Sequence, residues 1–158
     1  MKLAILYHSA SGNTKSIAEI MKETADGIKD IEAKAMDVEN LDKNFLTDAK
    51  AVVFGCPTYY GTVSWQLKKF LDTTDVKLAG KLGGTFATEN NIGGGADFAE
   101  LTIIACLLVR GMLIYSGGTI GTPSTHFGSV TVKKGDDFQK ERARVFIQKI
   151  ANKAKEIF

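Results

Sequence analysis

The sequence holds 158 residues, 44% hydrophobic and 24% charged, with a formal net charge of +2. That length suits one compact domain spanning residues 1–158 with a full apolar core, and scattered lysines without arginine clusters argue against nucleic acid as a partner. No run reaches the roughly 18 consecutive apolar residues of a membrane span, and the opening apolar run is too short for a signal-peptide core.

In chain order, "KLAILY" reads as a short apolar strand, and residues 14–28 place Ile17, Ala18, Ile20, Met21, Ala25 and Ile28 on one helical face. "EAKAMDV" fits a half-buried strand. "AVVFGC" is continuously apolar and rich in β-branched residues, the pattern of a strand covered on both faces at a sheet centre. Helical spacing returns over residues 64–71, "LGGTFA" fits a strand, and residues 97–111, including "LTIIACLLV", read as a buried helix before a fifth strand, "MLIY". A final amphipathic helix carries Phe138, Arg142, Val145, Phe146, Ile150, Ala154 and Ile157. Strands alternating with helices imply a doubly wound parallel α/β sheet. Cys56 and Cys106 show no CxxC or Cys/His ligand spacing, so neither a metal site nor a disulfide scaffold is suggested; they fit reduced core thiols of a cytoplasmic protein.

Ligands of such sheets bind at the carboxyl ends of strands. Four loops there share glycines and small hydroxyls: "SASGNT" (9–14), "PTYYGTVSW" (57–65), "TENNIGGG" (88–95) and "GGTIGTPSTHFGS" (117–129). The first sits at a helix start, a natural anion site, where Ser9, Ser11 and Thr14 add hydroxyls, Asn13 adds an amide and Gly12 permits close approach. Neither GxxxxGK[ST] nor GxGxxG is present, which favours a phosphate monoester over a triphosphate or bridging pyrophosphate. An ordinary capped helix start is the plainer alternative. Lys15, one residue into the helix, is expected to point to solvent.

"SASGNT" after an apolar strand resembles the phosphate loop of flavodoxins, T/S-x-T/S-G-x-T, which cradles the phosphate of FMN. "PTYYGTVSWQLKKFLD", "GKLGGTFATENNIGGG" and "TPSTHFGSVTV" are similar, in order, to segments of the WrbA-type NAD(P)H:quinone reductases. The resemblance implies a flavodoxin-like five-stranded parallel sheet of order 2-1-3-4-5, with helices on both faces and bound FMN. Those reductases carry extra residues after the "KKFLD" helix and before the last loop, which help build their tetramer and pocket. This chain runs straight from Asp72 through "TTDVKLAGK". Ordinary flavodoxins are strongly acidic, whereas this chain is slightly basic.

A flavin ring wants flat walls, and backbone donors along its polar edge. Tyr59 and Tyr60 can supply a wall, while Pro57, Thr58, Gly61 and Thr62 can bring main chain to flavin N5. Gly93, Gly94 and Gly95 let the opposing loop approach, with Thr88, Glu89, Asn90 and Asn91 at the edge. His126 either assists proton transfer or stands exposed in its loop. His8 is expected to face solvent, and Trp65 to pack in the core. Two functions follow. The chain is an oxidoreductase passing electrons from NAD(P)H, as co-substrate, through FMN to a quinone-like acceptor, completed as a homodimer or tetramer. Alternatively it is an electron carrier between redox protein partners. No Ser/His/Asp set supports hydrolysis.

Overall fold

A computed structural model describes residues 1–119 and 121–158; Ile120, within the expected 117–129 loop, lies outside the described residues. The two continuously apolar runs become neighbouring strands β1 (Lys2–Tyr7) and β3 (Ala51–Pro57), paired in parallel from Leu3 opposite Ala51 to Tyr7 opposite Gly55. β2 (Glu32–Asp37) lies outside β1, and β4 (Leu82–Glu89) lies beyond β3. β5 (Leu113–Ile114) completes the order β2-β1-β3-β4-β5, as the sequence implies.

The far edge departs from the five-strand reading. β5 pairs only with Leu82 and Gly83 of β4, and "SVTV", read as the tail of a loop, forms β6 (Ser129–Val132) against Phe86 to Glu89 of the same strand. The alternating pattern of β6 explains its capture, because Ser129 and Thr131 turn inward and are buried. Residues 116–119 and 121–128, between the two segments, belong to no strand.

Side chains alternate across each strand, so every buried strand feeds two layers. Leu3, Ile5 and Val53 pack beneath α1 (Asn13–Asp26) and α5 (Asp137–Ile157). Ala4, Leu6, Val52 and Phe54 face α3 (Trp65–Thr73) and α4 (Ala96–Val109). A short helix not expected from the sequence, α2 (Lys43–Asp48), joins this second layer through Phe45 and Leu46, with Asp42 accepting the Phe45 N–H at its start. α5 begins with a reciprocal cap between Asp136 and Gln139.

The apolar α4 is not buried all round. Ala99, Ile103 and Leu107 meet the sheet, whereas Phe98, Leu101, Leu108 and Val109 are exposed, Val109 to 90%. The helix packs mainly on β4 and β5, with smaller contacts to α3 and β3, and its outer side is left without cover among the described residues. Among the described residues no helix is long and apolar enough to cross a membrane.

Candidate functional site

The carboxyl ends of β1, β3 and β4 bring three of the four expected loops together. After β1, Gly12 takes the left-handed conformation (φ 86°) and, having no side chain, cannot itself cap α1, so an anion can satisfy N–H groups at the helix start. Open space surrounds the position a Gly12 side chain would fill. Ser9 Oγ accepts the Lys15 N–H at 3.1 Å, while the Lys15 side chain is exposed as expected. Thr14 is buried, and its hydroxyl lies 2.8 Å from that of Thr88, so it ties this loop to the end of β4.

After β3, the Thr58 N–H and hydroxyl both donate to the Thr88 carbonyl, at 2.8 and 3.1 Å. Tyr59 and Thr62 exchange backbone hydrogen bonds of 2.9 and 3.1 Å around a tight turn. Tyr60 and Gly61 form its tip with φ of 46° and 81°, and the Tyr60 ring stands free in solvent. Thr62 Oγ1 reaches to 3.4 Å from Thr102 Oγ1 on α4. A Cβ on Gly95 would fall 2.6 to 2.9 Å from Gly61 backbone atoms, so at this second point of contact between the two loops only glycine fits. Glu89 Oε2 accepts the Ala96 N–H at 3.2 Å, fastening the third loop to the start of α4, and Gly94 N–H donates to Asn91 O at 3.0 Å.

Ser11, Asn13, Pro57, Thr58, Tyr59, Thr88, Glu89 and Asn90 line one cavity of about 180 Å³ between these loops. Ser9, Gly12, Gly61, Gly93 and Gly95 belong to the same loops without lining it. His126 is exposed in the segment before β6 and does not line the cavity. A larger, polar hollow of about 690 Å³ lies outside the β1–α1 loop, against β2, between Ser9, Lys15, Lys34, Asp37 and Asp42. It holds only Ser9 of the expected site residues.

Two expectations are corrected. His8 is 5% exposed rather than solvent-facing: Tyr59 packs edge-on against it at 6.3 Å, and the turn after β2 covers its other side. Trp65 is 61% exposed rather than in the core, because it is the first residue of α3, whose inward side is filled by Leu67, Phe70 and Leu71. Cys56 is buried, and burial pushes its thiol up to about 11, as befits a core residue. Glu100, which no sequence pattern singled out, is buried on α4. Desolvation, with a smaller push from Asp97, holds its carboxyl well above the usual range against the pull of Arg142.

Residues 4–91, more than half of the chain, match the flavodoxin domain family. A flavodoxin of Clostridium saccharobutylicum is 44% identical over 160 aligned residues that cover 100% of both chains. The chain belongs to the flavodoxin family. It is also similar to an NAD(P)H dehydrogenase (quinone) of Archaeoglobus fulgidus, 27% identical over 180 residues covering 87% of this chain and 90% of that one. Among solved structures, the flavodoxin, WrbA-like protein from Agrobacterium tumefaciens superimposes with a TM-score of 0.81 at 26% identity, covering 99% of each chain. Both resemblances read from the sequence are therefore present, and the flavodoxin match is the stronger.

Proposed function

We propose that this chain is an FMN-binding electron carrier that exchanges electrons with redox protein partners. The observation that carries this reading is the cavity itself. It opens at the end of the sheet where Tyr60, Trp65, Ile92 and Phe98 all stand exposed. α3 returns to β4 through residues 74–81 alone, at the opposite end of the strands from the cavity. Full-length identity to a flavodoxin supports the same reading.

The residues fit the cofactor. The N–H groups at the start of α1 and the Ser9 and Ser11 hydroxyls would hold the FMN phosphate, and the open space at Gly12 would admit it. Tyr59, Thr58 and the 90–95 loop would form the walls and polar edge of the ring site. When bound, FMN supplies the electron chemistry, taking up and releasing electrons at its ring. The chain contributes positioning: Thr88 holds two loops at once through Thr14 and Thr58, and the Gly61–Gly95 contact fixes the spacing of the walls. The exposed aromatic and aliphatic rim offers a partner apolar contact, which suits a chain whose net charge is only +2.

A second reading, direct reduction of FMN by NAD(P)H for a quinone-like acceptor, draws on the Archaeoglobus relative and on the 57–72 and 80–95 segments. One experiment separates the two. FMN-loaded protein is mixed anaerobically with NADH or NADPH, and the visible flavin absorbance is followed. On the carrier reading the yellow colour persists with either nucleotide and is lost with dithionite. Rapid bleaching by a nucleotide establishes the reductase, with light scattering then testing for a dimer or tetramer. Failure to retain FMN refutes both.

A further inference from the structure

We propose that His8, Asp37 and Glu39 form a binding site for a divalent transition-metal ion of the zinc class, at the carboxyl ends of β1 and β2. The strand register sets Tyr7 opposite Asp37, which brings His8 beside the turn that follows β2. That turn is fixed by the Val38 N–H donating to Tyr7 O at 2.8 Å and by the Glu39 N–H donating to Asp37 Oδ1 at 2.9 Å. One imidazole nitrogen and one oxygen from each carboxylate all lie within 4.8 Å of one another.

An independent pointer comes from the imidazole. His8 is buried, yet neither Nδ1 nor Nε2 has a hydrogen-bond partner among the described residues. Buried polar atoms are rarely left so, and a neutral imidazole always carries one N–H and one lone pair. Here Nδ1 lies 3.8 Å from Glu39 Oε2, too far for a hydrogen bond but within reach of a shared ion. Among the described residues neither Asp37 nor Glu39 pairs with a lysine or arginine; the neighbouring Lys34 is taken by Asp42 at 2.7 Å. Two carboxylates without a lysine or arginine partner, gathered with a buried imidazole that makes no hydrogen bond, form a ligand set that a dication completes.

The donor types select the ion. Calcium and magnesium take oxygen ligands, and copper(I) takes sulfur, whereas imidazole with carboxylates suits zinc, cobalt, nickel or manganese. Zinc holds nitrogen and oxygen at about 2.0–2.2 Å, which places tetrahedral ligands about 3.4 Å apart. The cluster must therefore contract, and Glu39, 65% exposed at its side chain, has the rotamer freedom to do so. Three protein ligands leave a fourth position open to solvent. The site is separate from the loop cavity but shares its wall, because Tyr59 packs on the far side of the His8 ring at an interplanar angle of 78°.

The test uses the full chain without a histidine tag, stripped with a chelator that is then removed. Zinc chloride is titrated calorimetrically, and cobalt(II) serves as the visible-absorption probe. The expected result is one ion per chain and cobalt d–d bands. Glu39→Gln should weaken zinc binding by at least about tenfold, the effect seen even for residues one step removed from a metal. His8→Asn should abolish the site, and His126→Gln should leave it intact. Glu39 is exposed, so its variant is expected to keep the parent's melting temperature in chelator, which separates lost ligation from lost folding. The proposal is overturned if the parent protein takes up neither ion at large excess, if Glu39→Gln binds zinc as tightly as the parent, or if binding depends on His126.

Discussion

Gly55→Ala probes how the centre of the sheet was packed to admit one aromatic ring. Gly55 and Phe86 are direct partners across β3 and β4. A Cβ built on Gly55 would lie 2.0 to 2.4 Å from three ring carbons of Phe86, which is itself fully buried. Carbon atoms in contact prefer about 3.5–4.0 Å, so the ring must retreat by roughly 1.5 Å within a close-packed core. Overpacking of this kind costs about 1–3 kcal/mol, and a clash with three atoms belongs at the upper end, about 3 kcal/mol. For a chain of this size that corresponds to a melting temperature lower by roughly 6–12 °C. Phe86→Leu alone removes the clashing atoms and leaves a small void, at a cost of about 1–2 kcal/mol. If the ring is the cause, the double variant is about as stable as Phe86→Leu alone, a coupling of about 2–3 kcal/mol. Urea unfolding followed by circular dichroism measures all four proteins. Costs that simply add, or a Gly55→Ala variant within about 0.5 kcal/mol of the parent, would refute the reasoning.

Glu100 gives a pH-dependent prediction. Its native carboxyl is held above the ordinary value of 4.5, so the folded chain binds a proton there that the unfolded chain has released. Stability is therefore lost as pH rises from about that value through the folded one, and Glu100→Gln should gain on the parent progressively from pH 5 to pH 8. Melting curves that stay parallel across this range would contradict it. Gly95→Ala combines a left-handed φ of 96° with a clash against Gly61, so it should destabilise the fold by about 1–2 kcal/mol and weaken FMN retention, read by quenching of flavin fluorescence. In the native protein at pH 8 a thiol reagent should label Cys106 and spare Cys56, whose thiol is pushed up to about 11; both react after unfolding, and rapid native labelling of two thiols would disprove it.

The parts of the fold that could be read from sequence are those whose cause is local. β1 and β3 announce themselves by unbroken apolar runs, and α1 and α5 by residues recurring at helical spacing. The convergence of the loops was legible too, since Ser11, Thr58, Tyr59 and Asn90 meet at one cavity. What escaped depends on contacts between distant segments. α2 buries only Phe45 and Leu46, too few to make a periodic signal. His8 is covered by Tyr59 and by the turn at residues 37–39, and its burial follows from strand register rather than from its neighbours in sequence. The Thr14 hydroxyl, read as a donor facing an anion, is turned toward Thr88 for a similar reason. Likewise, the apolar composition of α4 says that the helix is hydrophobic but not that its position at the sheet edge leaves one side without cover.

The divided strand at the edge of the sheet also bears on how the chain behaves in a crowded solution. An exposed strand with a long row of free amides and carbonyls is a template on which another chain can extend the sheet. Here β5 and β6 are two and four residues long and pair with different parts of β4, so the border is broken into short pieces. The opposite border, β2, places Glu32 and Lys34 along its length. Among the described residues neither side offers an uncharged row long enough to recruit a stray strand, so extension of the sheet by another chain is opposed at both borders.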